Sequence, residues 1–421
     1  MNIRQLAVDA IEKILYKGAY VNITINEYFN KFDLSKEEKN LFTILVMGTV
    51  EHKITLAYYL EPYLRKKQKP WVYIILMMST YQIVYMNIEN YYVVNEAVNL
   101  GNIKDRTVGG FINAVLRNLL RYDLREISAD DEIKYLSLKY SYPTWLVSYL
   151  LSYYKFIELE RLFAYNESAK KCVIRVNTLK TNNELIEEKL KENNINFIKH
   201  QIVENGYVCD SPLMNSEMFK EGLITIQDIA SQKVAEVLAP KKDAQVLDMC
   251  AAPGSKTAHL SALMENTGTI YACDIYQHKI KLMNANFKRL NANNVKTQLL
   301  DARKIDEIVK AESFDYILLD MPCSGMGVMQ HKVDIKYNLT YKSIEEIIVL
   351  QKELIEASYK VLKKDGEMVI STCTINKAEN EENINEFIKN HPDMEIIFEK
   401  QYMPYDYDTD GFYICKLRKG K

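Results

Sequence analysis

Two of the seven cysteines stand where a nucleophile would be useful. Cys323 lies in Met321-Pro322-Cys323-Ser324-Gly325 and Cys373 in Ser371-Thr372-Cys373-Thr374, each in a polar turn just past a strand-like run, 314–320 and 367–372. Consecutive strands of a parallel sheet usually lie side by side, about 4.8 Å apart. Both thiols are therefore expected at the C-terminal edge of one sheet. A thiolate is a strong nucleophile even as a minority species at neutral pH. Two thiols beside a methyl sulfonium suit methylation at C5 of cytosine. C5 is a poor nucleophile unaided; a thiolate adding at C6 makes it enamine-like. A base must then remove the C5 proton before the thiolate can leave. By position alone either cysteine can be the attacking one. Cys172, Cys209, Cys250, Cys273 and Cys415 read as small buried hydrophobes. Seven is odd and no pair has C-x-x-C spacing, so neither a disulfide framework nor a metal site is expected. The usage fits a reducing cytoplasm.

A second motif follows the strand-like run 245–249: Asp248-Met249-Cys250-Ala251-Ala252-Pro253-Gly254-Ser255-Lys256-Thr257. A buried strand, a tight turn of small residues and a helix start form the place where open α/β sheets bind nucleotides. A dinucleotide loop wants G-x-G-x-x-G, but only Gly254 is present. A P-loop wants G-x-x-x-x-G-K-[ST], but Lys256 follows Ser255 and the upstream glycine is missing. S-adenosylmethionine has no pyrophosphate to cradle and needs fewer glycines. Aspartates at the ends of the next strands support it: Asp274 is placed to accept ribose hydroxyls, Asp301 to meet the adenine edge, and Asp320 closes the fourth strand. A single such Asp is as well explained as a helix N-cap; four strand ends carrying Asp on one sheet edge are not.

The elements that must position these residues alternate. From about residue 226, strands at 245–249, 269–274, 295–300, 314–320 and 367–372 are separated by helical stretches, one opened by a capping box Ser343-x-x-Glu346. This predicts an α/β, Rossmann-like domain (226–421) with a mostly parallel sheet. β-rich segments at 394–400 and 411–418 predict an antiparallel hairpin on its edge. Residues 1–128 show apolar residues at helical spacing throughout, with a strongly apolar run at 71–85 and two helices split at 101–107, which predicts an all-α bundle. Between them, 129–225 reads as a small α+β connector: a helical stretch at 133–162, a strand at 172–176, a helix at 183–193, and strand-like pieces near Ile202 and at 207–209.

Composition is that of an ordinary globular protein, 48% hydrophobic and 26% charged, with net charge −2. No global basic signature announces nucleic acid, so any RNA-binding surface must be local. The densest basic cluster is Arg65, Lys66, Lys67 and Lys69. The longest apolar run, near 74–78, is too short to span a bilayer.

With these residues in place the chain resembles the RNA 5-methylcytosine methyltransferase family, the NOL/NOP group. The resemblance rests on Asp248–Thr257, on the Pro322-Cys323 and Thr372-Cys373 elements, and on Arg175-Val176-Asn177-Thr178-Leu179-Lys180. It rests too on Ile226-Gln227-Asp228-Ile229-Ala230-Ser231-Gln232 and Asp410-Gly411-Phe412-Tyr413. The first 128 residues are similar to NusB-like RNA-binding domains, through Asn95-Glu96-Ala97-Val98-Asn99 and the stretches 45–60 and 110–121. The resemblance implies Cys373 as nucleophile and Cys323 as the residue that assists product release. It implies cofactor contacts by Cys250, Ala251, Ala252, Pro253, Gly254, Ser255, Lys256, Asp274, Lys279, Asp301 and Asp320, with Asp320 and Lys256 also orienting the base or cofactor. Its expected partner is naked 16S rRNA, with no DNA and no membrane, acted on by a monomer; another RNA such as tRNA, or RNA binding without methyl transfer, are the competing readings. Two positions depart from the family: Lys279 stands where Arg is frequent, and Gln330-His331-Lys332-Val333-Asp334 replaces an Arg-Arg-x-Pro-Asp pattern. His331 reads as an RNA or loop residue rather than a base.

Overall fold

The computed structural model describes residues 2–420. It divides into two compact units: one runs to Glu167 and takes in 329–338, and the other comprises 168–328 and the chain from Leu339 onward.

The first unit is helical: α1 (Ile3–Lys17), α2 (Val21–Lys31), α3 (Lys36–Glu51), α4 (Lys53–Leu60), α5 (Pro70–Tyr85), α6 (Asn90–Lys104), α7 (Val108–Arg121), α8 (Glu132–Tyr140), α9 (Thr144–Leu151) and α10 (Phe156–Asn166). Ser35 and Glu38 form the capping box that starts α3. α5, apolar on all sides, is buried continuously from Ile74 to Thr80 and lies at the heart of the bundle. The expected break at 101–107 is shorter: α6 runs on to Lys104, with Gly101 inside it, packed against Ile112 and Gly109 of α7. The helical stretch at 133–162 is three helices, because Ser141 takes a left-handed conformation (φ 59°) and Pro143 disfavours helix before it.

A strap, residues 329–338, completes this unit. Val333 joins its core. The Asp334 carboxylate accepts the Val21 N–H at the start of α2 (3.2 Å). The Tyr337 hydroxyl lies 2.7 Å from the Glu51 carbonyl and 2.8 Å from the Ser141 carbonyl. Lys336, almost fully buried, donates to the Tyr140 carbonyl and packs over the Tyr142 ring; burial pulls its pKa down to about 8.

The second unit has two sheets. In the smaller, β1 (Cys172–Val176), β2 (Phe197–Lys199), β3 (Gly206–Cys209) and β4 (Ile224–Ile226) pair antiparallel in the order β2-β3-β1-β4, with helix α11 (Asn183–Glu192). Ile202, expected in a strand, lies in the turn between β2 and β3. The larger sheet contains β5 (Gln245–Asp248), β6 (Thr269–Asp274), β7 (Val295–Leu299), β8 (Phe314–Asp320), β9 (Leu362–Thr372), β10 (Met394–Tyr402) and β11 (Phe412–Lys419), in the order β10-β11-β9-β8-β5-β6-β7. From β9 to β7 all pairs are parallel; β11 and β10 add the antiparallel edge. Both faces are covered, so successive residues go to different cores. Leu247, Ile317, Leu319, Met368 and Ile370 enter one, and Val246, Leu318, Val369 and Ile414 the other. Helices α12 (Ile229–Leu238), α13 (Ser255–Leu263), α14 (Gln277–Leu290), α15 (Tyr341–Val361) and α16 (Glu381–Asn390) connect the strands. The capping box of α15 is three residues earlier than expected: Thr340 is the cap and Ser343 its reciprocal partner. A short helix, Pro404–Tyr407, lies between the hairpin strands, where none was expected. Among the described residues no helix is long and apolar enough to cross a membrane.

Candidate active site

β5 and β8 are neighbours, yet the chain leaves β5 for β6 on one side and returns to β8 on the other. At such a switch point the loops after adjacent strands diverge and open a crevice at their C-terminal ends. A cleft of about 580 Å³ lies there, lined by Met249, Cys250, Ala252, Asp274, Lys279, Asp301, Asp320, Met321 and Pro322 among others. Six residues expected at the cofactor are thus brought to one cavity.

The remaining five serve the loop itself. The Ala251 N–H donates to the Cys273 carbonyl (2.9 Å) and the Gly254 N–H to the Ala251 carbonyl (2.7 Å). Gly254 sits at φ +96°, where a Cβ would also meet the Phe287 ring at 2.8 Å; glycine is required there. The Pro253 carbonyl accepts from Asn286 (2.9 Å). Ser255 opens α13. Lys256 reaches along the edge to Asp320 (2.7 Å).

The carboxylates differ in their engagement. Asp248 is buried, accepts from Thr257 (2.7 Å), and has its other oxygen unpartnered among the described residues. Burial pushes its pKa up to about 7. Asp274 accepts the Tyr276 N–H (3.0 Å) and faces Lys279 at 3.4 Å. Asp301, expected at the adenine edge, caps its own turn and is held by the Arg303 guanidinium at 2.6 Å. Asp320 accepts from Ser371 (2.7 Å) as well as from Lys256. These residues fit S-adenosylmethionine. Asp274, expected at the ribose, lines the cleft, and the acidic strand ends suit a sulfonium cation.

The two thiols meet. β8 and β9 pair in parallel with Asp320 opposite Ser371, and the Cys323 and Cys373 sulfurs are 3.3 Å apart. Neither cysteine is in a disulfide and both are half-buried. The hydrogen bond with Cys373, followed by burial, raises the Cys323 pKa well above its ordinary value. Lys256 is largely buried. Burial opposes its charge, but Asp320 outweighs this and Cys373 adds to it, so its pKa is raised.

Sequence reasoning missed the polar frame behind the thiols. Glu379 is fully buried and accepts from the Ser324 N–H (2.8 Å), Asn376 (2.9 Å) and Gln351 (3.2 Å). Asn380 links Thr372 to the Thr374 carbonyl, and Ser324 and Thr374 share a hydrogen bond of 2.8 Å. The one signal was the interspersed polar residues Thr374, Asn376, Glu379 and Asn380 just before α16. The hairpin closes the frame. Gly327 donates to the Cys373 carbonyl (3.0 Å) and Gly411 donates to Gly327 (2.8 Å); a Cβ on Gly327 would fall 1.8 Å from the Gly411 carbonyl oxygen. Asp228 accepts from Thr409 and the Asp410 N–H, which ties the α12 start to the same hairpin. Phe412 lies under the Lys256 ammonium, 5.1 Å from ring centroid to nitrogen. His331, expected near RNA or in a loop, lies in the strap; its carbonyl accepts from Asn22. Among the described residues no cluster of metal-binding side chains is present.

Comparison with known proteins gives three matching family models: the NusB family over residues 1–121, the ferredoxin-like domain of RsmF/B-like methyltransferases over 142–214, and 16S rRNA methyltransferase RsmB/F over 235–418. A probable ribosomal RNA small subunit methyltransferase B from Bacillus subtilis (strain 168) is 34% identical, covering 99% of both chains. Of solved structures, the protein PH0851 superposes with TM-score 0.83 at 26% identity, covering 100% of this chain and 99% of that one. NSun6 from Pyrococcus horikoshii, solved with the S-adenosylmethionine analogue SFG, gives TM-score 0.61 at 25% identity over 65% of this chain and 97% of its own.

Proposed function

The chain belongs to the RsmB/F family of 16S rRNA methyltransferases, and from that premise we propose that it methylates C5 of one cytosine in small-subunit rRNA through a covalent cysteine adduct. Methyl transfer by this family depends on S-adenosylmethionine, which supplies an electrophilic methyl group when bound. Cys250, Ala252, Asp274, Lys279, Asp301 and Asp320 would hold it, on the loop shaped by Ala251, Pro253, Gly254 and Ser255.

The target base leaves its stack to enter the crevice. Cys373, as thiolate, donates its electron pair to C6, and C5 gains the nucleophilicity it lacks. Lys256 stabilises that thiolate, and with Asp320 orients the ring. C5 takes the methyl group as its bond to the sulfonium sulfur breaks. A base then accepts the C5 proton, the C5–C6 double bond re-forms and the sulfur–C6 bond breaks to return Cys373 as thiolate, with Cys323 assisting that release. The reading is supported above all by the 3.3 Å approach of the two sulfurs, Cys323 following directly on Pro322 in the lining of the cleft.

The substrate in this proposal is naked 16S rRNA rather than DNA, and the enzyme is a cytoplasmic monomer. Residues 1–128, 129–225 and 226–421 are its RNA-binding, connecting and catalytic domains. The test is mapping of 5-methylcytosine in small-subunit rRNA after incubation with the purified chain and labelled cofactor. One labelled cytosine, lost in Cys373→Ala, is the expected result. Label on another base or another atom contradicts the proposal.

A further inference from the structure

The basic cluster Arg65, Lys66, Lys67 and Lys69 has no part in the site above. It forms the exposed loop between α4 and α5, and beside it is a second cleft of about 550 Å³, lying wholly within the helical unit. Three tyrosines line this cleft, Tyr16, Tyr58 and Tyr73, over a floor that includes Ile54, Leu64 and Leu138. Tyr16 is 49% exposed. The Tyr58 ring is fixed: its hydroxyl donates to the Glu126 carbonyl (2.7 Å), and the Arg125 guanidinium lies 4.1 Å from its centroid.

Charge decides the kind of ligand. Lys66 and Lys67 stand on the rim and, with Arg65, make no ion pair among the described residues. The one acid lining the cleft, Glu61, is neutralised by Arg125. The cleft therefore presents three aromatic rings and two uncompensated cations. Rings stack on bases and lysines neutralise phosphates; this is the pairing used for single strands, and double helices hide the base faces it needs. An acidic peptide would satisfy the lysines but leave the rings without a partner.

We infer that this cleft binds an unpaired nucleotide of the RNA substrate, with its base on the tyrosines and flanking phosphates on Lys66 and Lys67. The inference rests on the reading that the substrate is RNA, and it adds a second anchoring point apart from the methylated base. Fluorescence anisotropy of the full-length chain with a short unstructured RNA, followed across a salt series, tests it. Lys66→Glu/Lys67→Glu is expected to weaken binding and to flatten the log–log salt slope by about 1.4, roughly 0.7 for each single-strand phosphate. Tyr16→Ala is expected to weaken binding by about tenfold with the slope unchanged. The same RNA carrying 4-thiouridine should photo-crosslink to Tyr16, Tyr58 or Tyr73.

Unchanged affinity and slope in the lysine variant, whose altered side chains are exposed, overturn the inference. So does polyglutamate or free uridine monophosphate binding as tightly as the RNA and losing that binding in the same variant. Cys373-dependent methylation with normal RNA binding by the cleft variants sinks this inference alone. Cleft-dependent RNA binding with no 5-methylcytosine formed sinks the C5 reading alone.

Discussion

Two thiols in contact cannot both carry charge, and the one that keeps its proton cannot be the nucleophile. The bond to Cys373 raises the Cys323 pKa, and in the proposed mechanism Cys323 is the protonated partner while Lys256 supplies the positive charge that favours a thiolate at Cys373. Lys256→Met should therefore raise the pH at which Cys373 becomes alkylated by iodoacetamide, by about one unit; an unmoved midpoint would deny Lys256 that role. Asp248 shows what such a site costs the fold. Its folded pKa, about 7, lies above its unfolded value. The stability it contributes is full below the unfolded pKa, near 4, and is lost as pH rises through 7. Asp248→Asn is thus expected to raise stability above pH 7 by on the order of 2–4 kcal/mol, with the gain fading toward pH 4. Denaturant melts at the two extremes measure it, and a pH-independent difference would contradict it.

At the scale of elements, the strands were the most legible part. β5, β6 and β8 are short runs of β-branched and apolar residues ending in Asp, and their pairing follows from the handedness and adjacency rules of parallel sheets. The strap was not legible. Residues 329–338 have no apolar period, and their partners are far away in the chain: Asp334 meets Val21, 313 positions earlier. Only tertiary packing could reveal that a segment six residues past Cys323 completes the helical unit. Tyr337→Phe removes the hydroxyl that joins the strap to Glu51 and Ser141. It should destabilise the helical unit by about 1–3 kcal/mol, seen as faster amide exchange in α8; unchanged protection there would show that the strap is dispensable.

For the whole molecule, a sequence of motifs on one sheet edge was enough to foresee that the two thiols approach each other and that six of the expected cofactor residues line one cleft, because sheet topology fixes which strand ends are neighbours. It was not enough to foresee what holds the Cys323 loop still. Glu379, Asn380 and the Gly327–Gly411 contact act through buried hydrogen bonds, and residue type alone does not tell such groups from surface polar residues. The most direct measurement concerns the division of labour between the thiols. Cys323→Ala, incubated with small-subunit rRNA and S-adenosylmethionine and run on a denaturing gel, should give a slow RNA-linked protein band, since addition proceeds and release is blocked. The band should be absent when Cys373→Ala is added. No band in Cys323→Ala, or a band that survives the loss of Cys373, would contradict it.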